Sequence, residues 1–110
     1  MLSGEIIRSL NRSKIRLSVL RYINSRYPNL TYLSEIAFAT SIQATNVIGG
    51  LRGFTASNST RYNEDLSLVG LGLVETVNKN GKVYYKIKDK AKVDEIVLMY
   101  PVRKFVEVEI

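Results

Sequence analysis

Leu33-Ser34-Glu35-Ile36-Ala37-Phe38-Ala39-Thr40-Ser41-Ile42-Gln43-Ala44-Thr45-Asn46-Val47-Ile48-Gly49-Gly50-Leu51-Arg52-Gly53-Phe54 is the stretch that decides the fold. Leu33, Ile36 and Ala37 share one helical face over residues 33–40. Val47, Ile48, Leu51 and Phe54 form the apolar set of a second helix over 43–54. Only Ser41 and Ile42 separate the two. Helices joined so tightly must turn sharply on each other, and Ala37 is small enough to let them approach. That is a helix-turn-helix.

Working backwards, Ser13 caps an earlier helix in which Ile15, Val19, Leu20, Ile23 and Tyr27 recur along one face. Arg12, Lys14, Arg16 and Arg21 lie mostly off that stripe, towards solvent or phosphate. Pro28 ends the helix, because the residue before a proline is pushed out of the α region. Residues 1–12, with Leu2, Ile6, Ile7 and Leu10, suit a short helix or an arm packed on the body.

Working forwards, a polar loop over 55–61 leads to Asn63, the expected cap of a third core helix. Glu64 and Asp65 fall in its first turn, where the helix dipole favours negative charge. Leu66, Leu68, Val69 and Leu71 face inwards, and Gly72 takes the left-handed position that closes a helix. Two β-prone runs follow, 73–79 and 82–88, separated by Asn80-Gly81. That pair is the strongest short-range hairpin signal, since both central residues of a type I′ turn need positive φ. Val83, Tyr85 and Ile87 alternate with Lys82, Tyr84, Lys86 and Lys88, giving one apolar and one cationic face. Residues 91–100 suit a further helix through Val93, Ile96, Val97 and Tyr100, stopped by Pro101. The tail 102–110 alternates weakly, as a strand would.

Composition narrows the chemistry. The 110 residues are one domain's worth of chain, and 45% hydrophobic content allows a modest core. With no cysteine, disulfides, zinc knuckles and thiol switches are excluded. The absence of histidine removes the commonest general base and transition-metal ligand. The carboxylates are scattered, so no enzyme activity, cofactor or metal is expected. Apolar runs are too short to span a bilayer, and Met1-Leu2-Ser3-Gly4-Glu5 lacks the features of a secretion signal. The expectation is a soluble, cytoplasmic, nucleoid-associated protein. A net charge of +6 and a pI near 9.7 point to a polyanionic partner.

The element order defines an α+β class: a winged helix-turn-helix, with a three-helix core, a β-hairpin wing and an added C-terminal helix. The winged domain covers 13–88, preceded by the arm or helix of 1–12 and followed by 89–110 as a candidate dimerisation element. Two phrases carry a closer likeness. Leu33-Ser34-Glu35-Ile36-Ala37 resembles the start of the motif in bacterial and archaeal regulators, and Leu71-Gly72-Leu73-Val74-Glu75 resembles their lead into the wing. With Arg61-Tyr62-Asn63 before the third helix, the span from Ser13 to Lys88 is similar to archaeal winged helix-turn-helix transcription regulators. Two features depart from that pattern. Ser41 stands where glycine is commonest, and Gly49, Gly50 and Gly53 fall in the helix that the resemblance makes the recognition helix. Each glycine costs such a helix about 1 kcal/mol against alanine. Either the helix frays or orders only on DNA, or the glycines let it approach phosphate closely.

The resemblance implies a reading helix at 43–54. If Val47 and Leu51 face the core, its other face presents Thr45, Asn46, Gly49, Arg52 and Gly53. Gln43, Thr45, Asn46 and Arg52 are then the base-contact candidates: Gln or Asn for adenine, Thr for a thymine methyl, Arg for guanine or phosphate. Arg12, Lys14, Arg16, Arg61, Lys79, Lys82 and Lys86 are the phosphate candidates. The lysines equally suit a solvated sheet edge guarded against aggregation. The leading expectation is a sequence-specific double-stranded DNA-binding regulator, a homodimer through the C-terminal helix. A non-specific architectural DNA binder and a winged-helix protein-interaction module, the latter supported by Phe105, Val106, Val108 and Ile110, stand beside it.

Overall fold

The computed structural model describes residues 3–53 and 67–100, and among these it contains five helices and one hairpin. The expected arm is a helix, α1 (Gly4–Arg12). The Ser3 hydroxyl caps it by accepting the Ile6 N–H at 3.2 Å, with Glu5 in the first turn and Arg12 in the last, as the dipole favours. Ser13 then ends α1 and caps α2 (Lys14–Arg26), accepting the Arg16 N–H at 3.1 Å. The chain leaves α2 at Tyr27, before Pro28.

α2 is the axis of the molecule. It packs against α1, against α3 (Leu33–Thr40), α4 (Ala44–Arg52) and α5 (Lys90–Met99), and against β2 (Lys82–Ile87). Its Val19, Leu20 and Ile23 are fully buried. Ile6 and Leu10 of α1, Ile36 of α3, and Val47 and Leu51 of α4 join them in one cluster. Leu68, Leu73, Val74, Tyr85, Ile87, Val93 and Ile96 complete it. Tyr27 departs from its expected place on the α2 core stripe. Its ring is exposed, with the Lys90 ammonium 5.0 Å from the centroid.

The expected helix-turn-helix is α3–α4. Ser41 adopts the left-handed conformation, φ 59° and ψ 32°. The N–H of Ile42 donates to Ala37 O at 3.2 Å and that of Ser41 to Phe38 O at 3.4 Å, the two bonds of a Schellman closure. The second helix is shorter than its pattern implied. Gln43 stands outside it as N-cap, Arg52 is its last residue, and Phe54 lies outside the described residues. The expected third core helix starts at Asn63, also outside them. The part that is described, 67–72, runs in hydrogen-bonded turns ending on Gly72 at φ +76°. The N–H groups of Leu68 and Val69 donate to Gly50 O and Leu51 O, satisfying carbonyls at the end of α4 that its own backbone leaves open.

The wing is β1 (Val74–Lys79) paired antiparallel with β2, in register from Val74↔Ile87 to Lys79↔Lys82. Asn80 and Gly81 turn at φ 54° and 78°, as a two-residue I′ hairpin requires. Thr31 adds a third line of pairing, exchanging both backbone bonds with Tyr85. Tyr85 and Ile87 are buried, but Val83, expected on the same apolar face, is exposed because the hairpin tip projects beyond the core. α5 is capped by Asp89, which accepts the Lys92 N–H. Residues 102–110, expected as a strand, lie outside the described residues.

Candidate nucleic-acid interface

Each candidate side chain acquires its setting from the elements just described. On α4, Gln43, Thr45 and Arg52 are exposed and Asn46 is half-buried, while Val47 and Leu51 anchor the opposite side. Gly49, expected on the open face, is buried, as is Gly50. The reason lies in α2: a Cβ at Gly50 would sit 3.4 Å from Ile15 Cγ2 and 3.5 Å from Arg16 Cγ. Those are ordinary van der Waals distances, so Gly50 is turned towards α2 rather than towards phosphate. Nor does the helix fray there, since Gly53 N–H still donates to Gly49 O at 2.9 Å.

The basic candidates divide. Lys79 and Lys82 face each other across the exposed hairpin tip. Lys86, nearer the hairpin base, is half-buried and paired with Glu75 at 3.7 Å, so its charge is partly spent inside the hairpin. Arg12 and Lys14 are exposed where α1 meets α2. Arg16 corrects the reading made from sequence. It is only 1% exposed, and its Nη1 donates to Ser9 O at 3.0 Å and to Ser9 Oγ at 3.1 Å, locking α1 onto α2. No phosphate reaches it there. Arg61 lies outside the described residues.

The structure joins to Lys82 residues that are not among the sequence's contact candidates. Tyr32, Ser34, Ala44 and Tyr84 line one groove with it, between the starts of α3 and α4 and the wing. Tyr84 packs edge-on to Tyr32, with centroids 6.3 Å apart. On the other side of α3, the Tyr22 hydroxyl donates to Glu35 Oε2 at 2.5 Å, and Arg26 Nε approaches the same oxygen at 3.5 Å. That hydrogen bond is the main reason the Tyr22 hydroxyl holds its proton to a higher pH than usual, with desolvation adding to it. The clasp fixes the motif's first helix against α2.

The helix-turn-helix, the pairing of Thr31 with Tyr85 and the I′ hairpin on one core define a winged helix-turn-helix. A model of the EarA-like family matches residues 6–97. The chain belongs to the EarA-like family. It is 44% identical over 87 residues to an uncharacterized protein of Methanocaldococcus jannaschii, a match covering 79% of this chain and 75% of that one. Among solved structures it resembles the homodimeric winged helix-turn-helix DNA-binding domain of a Mycobacterium bovis protein described as a possible ArsR-family transcriptional regulator. The TM-score is 0.59 at 20% identity, covering 87% of this chain and 72% of that domain. This likeness establishes the fold.

In the C-terminal helix, the candidate dimerisation element, Val93 and Ile96 are fully buried in the chain's own core. Leu98 and Met99, at 82% and 51% exposure, are the apolar side chains it leaves open. Among the described residues no helix is long and apolar enough to cross a membrane.

Proposed function

We propose that this EarA-like protein binds double-stranded DNA and regulates transcription, reading the major groove with α4 and holding phosphate with the hairpin. One observation carries the reading: the N-terminal end of α4 and the hairpin tip open onto the same groove, through Ala44 and Lys82. Exposed Gln43 and Thr45 stand beside that opening, in a chain of net charge +6. A helix in the major groove reads base edges from such a position. Asn46 and Arg52 extend the reading surface, and Arg12 and Lys14 add phosphate contacts at the α1–α2 junction. In this reading the protein is cytoplasmic, works on the nucleoid and carries out no reaction of its own. It works as a homodimer whose partner copy sits on Leu98 and Met99.

Selection from a random double-stranded pool at near-physiological salt tests the proposal. An enriched motif supports a regulator, and a palindromic one supports the dimer. Retention without enrichment reassigns the chain as an architectural DNA binder. Arg52→Ala should cost about 1–3 kcal/mol on the selected site and relax its base preference, whereas Lys82→Ala should weaken all sequences alike and lower the salt slope by about 1. No retention even at low salt removes the DNA reading. A protein-interaction module then takes its place, favoured by Phe38, which stands 89% exposed on α3.

A further inference from the structure

The groove between the reading motif and the wing has a volume of about 560 Å³ and a mixed chemistry that selects its occupant. Tyr32 and Tyr84 form an aromatic wall, already fixed by their edge-on contact. Lys82 is the charged residue among those lining the groove, and no acid joins it. Glu35, the acid in the first turn of α3, is turned towards α2 and held there by Tyr22 and Arg26. Neither Tyr32 nor Gln43, the N-caps of α3 and α4, makes a side-chain capping bond. Neither cap side chain therefore occupies the first N–H groups of its helix, though in α4 the Asn46 N–H turns back onto Gln43 O at 2.9 Å. The ligand class that fits is anionic at one end and apolar along its side, which describes a sugar-phosphate chain.

We infer that this groove seats one deoxyribose-phosphate strand of the bound duplex, with a phosphate held between Ser34 and Lys82 and the adjoining sugar against Tyr32 and Tyr84. The inference rests on the DNA-binding reading and deepens it. The groove lies between the helix that reads bases and the hairpin tip, so it joins their contacts into a continuous track along one strand. It also makes α3, and not α4 and the wing alone, part of the binding surface.

The test compares Ser34→Glu with Ala91→Glu in binding a short duplex of random sequence at low salt. Both positions are exposed second residues of their helices, so each substitution adds one negative charge where the helix dipole favours it. Melting followed by circular dichroism should show both variants folded. Ser34→Glu is expected to weaken binding by about tenfold or more, as like charges meet in the groove, and Ala91→Glu by less than about threefold. Lys82→Glu gives an independent reading from the exposed hairpin. Combined with Ser34→Glu, it should lose clearly less than the product of the single losses, because both act on one phosphate. Equal losses for Ser34→Glu and Ala91→Glu, or fully multiplicative losses for the pair, would overturn the groove assignment and leave DNA binding standing. Absence of binding by the unsubstituted protein would instead defeat the DNA reading and the groove with it.

Discussion

The turn joining α3 to α4 and the turn leading from residue 67 into β1 close with the same pair of backbone bonds. In the first, Ile42 and Ser41 donate to Ala37 and Phe38. In the second, Leu73 and Gly72 donate to Leu68 and Val69, at 3.1 and 3.0 Å. Each turn places one residue at positive φ, Ser41 at 59° and Gly72 at 76°. The differences are the side chain at that position and the apolar contact that accompanies the turn. Leu68 and Leu73 are fully buried, whereas Ala37 and Ile42 are half-buried. The turn into the wing is thus made by an unstrained backbone and a deep anchor. The turn into α4 holds the same shape against the preference of its own serine, and nothing in the structure explains that serine.

The largest effect should come from removing the anchors. Leu73→Ala is expected to cost about 2–5 kcal/mol, because it leaves a cavity at the centre of the core. Ile42→Ala should cost about 1–2 kcal/mol, since less of its surface leaves water on folding. Urea titrations of both variants check the order, and equal losses would remove the distinction between the two turns.

Backbone strain comes next. Gly72→Ala meets nothing within 4 Å, so its cost is the left-handed conformation itself, about 1–2 kcal/mol. Ser41→Gly relieves a similar strain and should stabilise the protein by about 1 kcal/mol, raising the melting temperature by roughly 4–8 °C. A Ser41→Gly variant that melts below the parent would show that the serine side chain contributes something the backbone geometry does not reveal.

These turns also mark where the sequence was legible. Asn80-Gly81, Gly72 and the two-residue break before Gln43 announced themselves because a turn's demand on φ falls on residues adjacent in the chain. Gly50 is not legible in this way, because it faces Ile15, 35 positions away and on another helix. Arg16 is hidden for a related reason. Its position off the apolar stripe of α2 points to solvent, but α1 covers that flank and Ser9 supplies the acceptors. The groove had no sequence signature at all, since Tyr32 and Tyr84 become neighbours only when Thr31 pairs with Tyr85.

The smallest expected effect concerns what holds α3 while its turn is strained. Tyr22→Phe removes the hydroxyl that donates to Glu35, and the loss should be about 0.5–1 kcal/mol, because water reaches the pair and screens it. pH separates this contribution from packing. The hydrogen bond to the Glu35 carboxylate raises the Tyr22 pKa in the folded protein. The stabilisation it brings is therefore complete below the unfolded tyrosine value of about 10, and is lost as pH rises through the folded value. Above about pH 10 the parent should lose stability faster than Tyr22→Phe, until the two curves meet. Parallel curves across that range would mean that the ring, and not its hydroxyl, secures α3 to α2. The strained turn would then depend on packing alone.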